Sequence, residues 1–175
     1  MASFYTGATG AIAINHKDTL MKLTDALLGE HAVFYGLFEH VRETAANSDD
    51  ATEIRGAVAA LDKLLLSHAN IEEELLFSRL DPHLGQMGPL TVMRDEHRRV
   101  EELLGAAMRE TDAGALKSVI GQLLDTAYDH FQKEEGVLFA MAQQFLDAET
   151  LNAAGDEWAA RRKVMVDGQG CRGAA

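Results

Sequence analysis

Three histidines, His68, His97 and His130, each carry a glutamate four residues on, at Glu72, Glu101 and Glu134, and a fourth, His31, lies upstream in a comparable apolar stretch. On an α-helix, residues i and i+4 project from one face about 40° apart, so each pair aims an imidazole and a carboxylate in one direction. Imidazole and carboxylate together suit iron, manganese or zinc, and spacing alone does not choose among them. Three such pairs and a lone histidine, carried on four helices, are enough to hold two metal ions.

The elements that must position these residues follow from the breakers. Only two prolines occur, Pro82 and Pro89, and they bracket a loop, DPHLGQMGP, that divides an otherwise helical chain into two halves. Asp18 is expected to cap a first helix running to about Thr44. Asp50 with Glu53 reads as a capping box for a second helix, about 51–80, that stops before Asp81-Pro82. Pro89 suits the first turn of a third helix, to about Glu110, and a fourth runs from beyond Gly114 to about Leu146. A shorter fifth helix is expected over about 148–164, with Gly155 interrupting it, and the tail GQGCRGAA is expected to be disordered. The fold class is therefore all-α: an antiparallel up-down-up-down four-helix bundle with a short additional C-terminal helix. The organisation divides as an N-terminal arm (1–17), the bundle (18–146), the C-terminal helix (147–166) and a tail (167–175).

The helical wheel places all four histidines on core-facing stripes. Leu20, Leu27, Phe34 and Phe38 fall on the side of His31, while His40 falls opposite. Leu61, Leu64, Leu65, Ile71 and Leu75 share a side with His68. Leu90, Met93, Val100, Leu104 and Met108 share one with His97, and Val119, Leu123, Val137 and Met141 share one with His130. Any single inward histidine is more readily a core residue with a bonded ring. Collectively, ionised carboxylates taken into an apolar bundle cost several kcal/mol each unless paired, and the stripes of Glu72 and Glu134 offer only Lys133 as a basic neighbour. Buried cations would neutralise them.

An internal repeat points the same way. Residues 68–77, HANIEEELLF, and 130–139, HFQKEEGVLF, share H-x-x-x-E-E-x-x-L-F at an offset of 62, and Glu30-His31 parallels Glu96-His97. Two helical hairpins, each ending in the same half-site, would enclose two metals between them. Tyr35 takes the place in the first hairpin that Glu101 holds in the second, so the site is expected to be asymmetric. Tyr35 reads first as a core tyrosine with a bonded hydroxyl. Glu73, Glu74 and Glu135 read as solvated or outer-layer acids, and His16 and His83 have no assigned role.

Charge and composition bound the partners. The 175 residues include 16 Lys and Arg against 28 Asp and Glu, a formal charge of -12, which argues against nucleic acid or an anionic membrane as partner. No run of about 18 apolar residues could span a bilayer, no basic n-region marks a signal peptide, and the lone Cys171 fits a reducing compartment. A cytoplasmic location is the expectation; the oligomeric state is open.

With the series H…HxxxE…HxxxE…HxxxE set on four helices, the chain over about residues 18–146 resembles the hemerythrin-like, or HHE cation-binding, domains. That resemblance implies two iron ions as cofactor, a non-haem di-iron centre, oxo- or hydroxo-bridged, between the helices. Glu72 and Glu134 would be the bridges, His31 and His68 would bind one iron, and His97, Glu101 and His130 the other. The oxygen carriers of that family have His-x-x-x-His on the third helix and a longer His-to-Asp spacing on the fourth, so reversible oxygen transport is not what this chain's departures imply. Ferritin-like di-iron bundles fit less well, because no histidine here has a glutamate three positions before it, and no His-Glu-x-x-His or cysteine cluster occurs.

Three functions follow. The first is a di-iron protein that binds or responds to O₂, NO or peroxide, with the small ligand at the His31–His68 iron in a pocket of Phe34, Phe38 and Leu65. The second is a catalase- or peroxidase-like enzyme, since anionic Glu101 in place of an imidazole would favour the ferric state. The third is a metal-free interaction module with Leu151 and Trp158 as its adhesive surface.

Overall fold

The computed structural model describes residues 21–85 and 88–165, and among them every regular element is helical. In chain order these are α1 (Leu23–Asn47), α2 (Ala51–Ile71), a π-helical stretch (Glu72–Phe77), α3 (Ser78–Leu84), α4 (Pro89–Arg109), α5 (Ala113–Lys133), a second π-helical stretch (Glu134–Leu138), α6 (Phe139–Phe145) and α7 (Ala148–Arg162). The residues joining α2 to α3 and α5 to α6 keep right-handed helical angles, so each π stretch sits inside one continuous rod.

Three aspartates start helices as their side chains accept orphan N–H groups: Asp50 from Thr52 at 2.7 Å, Asp112 from Ala115 at 2.8 Å and Asp147 from Thr150 at 2.8 Å. The expected Asp50–Glu53 box does not close. Glu53 instead accepts the Ser48 hydroxyl at 2.6 Å, and Ser48 Oγ accepts the Asp50 N–H at 3.1 Å, so Ser48 stands between the two groups of the expected box. α1 begins with Lys22 in extended geometry at its N-cap, not at Asp18. Asp18 and Leu20 lie outside the described residues, as do the expected N-terminal arm and the tail with Cys171.

The second rod also runs past its expected stop. Proline inside a helix costs about 3 kcal/mol, yet α3 includes Pro82 and ends only at Gly85, whose φ of 71° suits glycine. Tertiary anchors just ahead of the proline offset that cost. Leu80 is fully buried, and Arg94 of α4 holds the Asp81 carboxylate at 3.0 and 2.9 Å.

α1 packs on α2, α2 on α4, α4 on α5, and α5 back on α1, which closes a ring of four helices. Two apolar clusters fill it. Phe34, Phe38, Leu61, Leu65, Leu104 and Phe131 belong to one, and Leu27, Leu75, Leu76, Phe77, Leu138 and Phe139 to the other. Along the chain His31, His68 and His97 fall between members of the two clusters.

The π stretches alter which residues face inward. Val137, expected on the His130 stripe, is 54% exposed, and Leu138 and Phe139 are buried in its place. A π turn takes more residues per turn than an α turn, so the stripe rotates after the glutamate that opens it. Leu64 and Met108, also expected inside, are largely exposed.

Gly155 does not interrupt the fifth helix. It is buried where α7 crosses the start of α1, and a Cβ there would stand 1.9 Å from the Met21 carbonyl oxygen. Nor do Leu151 and Trp158 form a free adhesive surface. Leu151 is buried in the second cluster and Trp158 packs against it, because α7 folds back over α1 and the first π stretch. Among the described residues no helix is long and apolar enough to cross a membrane.

Candidate metal centre

His31, His68, Glu72, His97, His130 and Glu134 converge between the two apolar clusters, each from its own turn of α1, α2, α4, α5 or a π stretch. All four imidazoles turn Nε2 inward. Glu72 sends Oε1 to 3.1 Å from His68 Nε2 and Oε2 to 3.3 Å from His97 Nε2. Glu134 sends Oε2 to 3.3 Å from His31 Nε2 and Oε1 to 3.4 Å from His130 Nε2. His31 and His68 bring their Nε2 atoms within 3.1 Å of each other. Two overlapping ligand sets result, His31–His68–Glu72–Glu134 and Glu72–His97–His130–Glu134, and both glutamates belong to both. Both carboxylates are fully buried, and the approaches are angled so that all four of their oxygens, with Nε2 of His97 and of His130, make no hydrogen bond. Buried oxygens left this way cost several kcal/mol each unless a cation meets them.

The sequence matches the family described as "Hemerythrin HHE cation binding domain" over residues 22–142. The chain belongs to that family. Among curated relatives, an iron-sulfur cluster repair protein YtfE of Enterobacter sp. (strain 638) is 32% identical over 112 residues, covering 55% of this chain and 51% of that protein. YtfE of Escherichia coli O157:H7 is 33% identical over 95 residues, 47% of this chain and 43% of its own. A protein named DNA nickase from Nostoc sp. (strain PCC 7120) is 27% identical over 162 residues, 91% of this chain and 44% of its own length. The chain thus spans about half the length of the curated relatives it matches. No solved structure matches it.

In this HHE domain a layer of carboxylates surrounds the imidazoles. Glu30 of α1 accepts from His68 Nδ1 at 2.7 Å, Glu96 of α4 from His130 Nδ1 at 3.0 Å, and Glu135 from His31 Nδ1 at 2.9 Å. Such bonds fix Nδ1 as the protonated nitrogen and leave Nε2 for the centre. Sequence reasoning assigned Glu30 and Glu96 no part in the site, although their position just before His31 and His97 was the signal. Each serves a histidine on the following helix, a relation that no spacing along one helix reveals. Tyr35 donates to Glu135 at 2.8 Å and accepts from Gln132 at 3.0 Å, so its hydroxyl is bonded in the outer layer. Burial, then Glu135, pushes its pKa up to about 12. Glu73 and Glu74 bind Arg94 and Arg161 at the surface, and His40 is exposed as expected.

The centre's electrostatics are uneven. Burial works against ionising Glu72, but the neighbouring His68 and His97 outweigh it and hold its carboxyl well below the usual range. Glu134 goes the other way: burial, then the charge on Glu72, pushes it well up. Burial likewise opposes a charge on His68, yet Glu72 and Glu30 raise it to about 9. Burial, then His97, lowers His130 to about 4, and burial, then His68, lowers His31. Without metal, therefore, His68 keeps its proton at neutral pH, and of the two buried carboxyls Glu134 is the more readily protonated.

Glu101, expected among the ligands, is exposed and belongs to neither ligand set. It lies one turn past His97 on the rim of a small cavity of about 20 Å³ that touches both ligand sets, lined by Leu65 and His68 as well as by Ala69, His97, His130 and Phe131. That is room for about one water-sized molecule. The cavity shares Leu66, Ala69, His97 and Glu101 with an open surface cleft of about 930 Å³. His97 is correspondingly the most exposed imidazole, with 17% of its side chain open against 0–3% for the other three.

The space expected beside Phe34 and Phe38 on the His31 side is filled. Phe131 stacks on the His31 ring at 3.9 Å, nearly parallel, and Phe34 meets His68 edge-on at 5.2 Å. The repeat explains the asymmetry: at the offset of 62 the counterpart of Phe131 is Ala69, which leaves open next to His97 what Phe131 fills next to His31.

Proposed function

We propose that this chain is a non-haem di-iron protein that binds or responds to a small ligand of the O₂, NO or peroxide kind. The observation that carries this reading is the pair of fully buried glutamates, shared by two ligand sets and hydrogen-bonded by nothing. His31 and His68 would hold one iron, His97 and His130 the other, with Glu72 and Glu134 bridging them in an antiparallel four-helix bundle. The donor set admits manganese and zinc as well; the iron assignment is supported by the family and by the name of the YtfE relatives. When bound, the irons supply reversible electron transfer and open coordination positions. The chain's residues orient the ligands through the outer carboxylates, exclude water through the Phe131 and Phe77 rings, and leave one small opening beside His97. We place the exogenous ligand there and not beside Phe34. The acidic charge of -12 gives the name of the Nostoc relative no electrostatic support here.

Anaerobic titration with ferrous iron, followed by optical spectra on adding O₂, NO and peroxide, tests the reading. Two irons per chain are expected. Uptake must also displace the proton held by His68, so proton release should accompany binding at neutral pH. Because His68 is protonated below about 9, affinity should climb as pH rises toward that value. Failure to retain any metal, or uptake without proton release, would overturn it. Rapid consumption of peroxide by the loaded protein would move the reading to a catalase- or peroxidase-like enzyme.

Glu101→His tests whether Glu101 contributes to the second iron position. If Glu101 completes that iron's ligands, the variant keeps its metal but shows a higher reduction potential, since an anionic ligand no longer favours the ferric state. Unchanged potential and unchanged peroxide turnover would leave Glu101 as an acid at the mouth of the cleft only.

A further inference from the structure

α7 lies beyond the residues matched by the family, yet its last turn reaches the histidine layer. The Glu30 carboxylate that accepts from His68 Nδ1 is itself held on both oxygens. Trp158 Nε1 donates to Oε1 at 2.7 Å, and Arg162 donates through Nε to Oε1 at 2.6 Å and through Nη2 to Oε2 at 2.8 Å. Arg162 Nη1 reaches on to the Ser67 hydroxyl at 2.6 Å, beside His68 in the chain. Four donors thus converge on one carboxylate, three of them from α7. Among the described residues the other hairpin has no such element. Its equivalent acid, Glu96, meets His130 and Lys133 there, and Lys133 is half exposed and three residues from the histidine it serves.

We infer that Trp158 and Arg162 are positioning residues for His68, so that α7 makes the His31–His68 position the more tightly held of the two. The inference rests on the proposed metal centre, and it follows from how an imidazole is made a good ligand. A carboxylate on Nδ1–H fixes the ring's orientation and raises the basicity of Nε2, and the effect depends on that carboxylate staying ionised and still. A guanidinium fork plus an indole N–H leaves Glu30 one orientation, because the fork matches both oxygens in a plane. Glu96, with a single flexible ammonium, keeps more freedom. The two halves of a repeated site are thereby made unequal by residues that touch neither metal position. Docking of α7 depends in turn on Gly155 and on the buried Leu151, Ala154 and Ala159, so whatever moves that helix changes His68 and leaves His130 alone.

The test uses the full chain carrying Trp158→Phe and Arg162→Gln together, with Arg161→Gln as control, since Arg161 pairs with Glu74 at the surface. In metal-free protein, imidazole ¹⁵N–¹H NMR reads each ring's Nδ1–H. The double variant is expected to lose the protected His68 signal and keep that of His130, with the control unchanged. In iron-loaded protein, transfer to a chelator is expected to show one iron of the two released about 10- to 100-fold more readily, the other as in the parent, with Arg162→Lys restoring part of the difference. Should the double variant fail to fold, Glu30→Gln, which leaves α7 in place, carries the same two readouts. An unchanged His68 signal overturns the inference, as does equal loosening of both irons. If the parent protein takes up no iron, the metal reading fails and the NMR comparison alone still decides whether α7 positions His68.

Discussion

Glu134→Gln is expected to abolish retention of both metal ions while leaving the metal-free protein as stable as before. The carboxylate of Glu134 approaches His31 on one side and His130 on the other, through Oε2 and Oε1. A carboxamide carries one acceptor oxygen and no charge, so it cannot bridge two cations, and the loss in affinity should exceed the roughly 100-fold upper range seen for outer-layer partners. The metal-free protein should hardly notice. Burial and the charge on Glu72 push the Glu134 carboxyl toward its neutral form, and glutamine copies the shape and neutrality of that form. Volume-conserving swaps of this kind cost less than about 1.5 kcal/mol.

Differential scanning calorimetry with and without ferrous iron reads both halves of the prediction. A bound metal present at 100 times its Kd stabilises by about 2.7 kcal/mol; the parent should gain this and the variant should not. Glu72→Gln supplies the contrast. Glu72 is ionised beside a protonated His68, so its amide leaves that buried cation with Glu30 but without its inner carboxylate and costs roughly 3 kcal/mol, the low end for a broken buried pair, even without metal. A Glu134→Gln protein that still held two metals would remove the bridging role, and equal metal-free stabilities for the Glu72 and Glu134 variants would contradict the proton placement.

Gly155→Ala is expected to destabilise the protein by about 2–3 kcal/mol and to free α7, against the direction helix propensity gives. In an exposed helix that exchange would stabilise by about 1 kcal/mol. Here the added Cβ would stand 1.9 Å from the Met21 carbonyl oxygen and 3.3 Å from the Leu23 nitrogen, both backbone atoms, so no rotamer change relieves the clash. Either α7 tilts away or the start of α1 shifts, and overpacking of this sort typically costs 1–3 kcal/mol. Thermal unfolding gives the magnitude, and limited proteolysis near Leu146, ahead of α7, reports the release. A raised melting temperature would refute the close approach.

Helix positions, the cap at Asp50 and the inward aim of the histidines were readable because they depend on periods of 3.6 residues and on local hydrogen bonding. Errors concentrate where neighbours intervene. The stop before Pro82 failed because Leu80 and the Arg94–Asp81 pair hold the rod together from outside. Val137 was turned outward by a π stretch that no spacing announces. The break at Gly155 was a packing contact between segments 134 residues apart in the chain, Met21 to Gly155.

The site divides along the same line. That four imidazoles and two glutamates share the interior was determined by the sequence alone, since i, i+4 spacing aims each pair from one helix and a 62-residue repeat doubles it. Which partner each would meet was decided only by the tertiary structure. Glu101 has the same spacing as Glu72 and Glu134 yet stands at the rim, the opening lies beside Ala69 and not beside Phe34, and α7 grips Glu30 across 128 residues. Helical periodicity acts within a rod, whereas the side on which a cavity opens and the carboxylate that reaches a given imidazole depend on how separate rods pack.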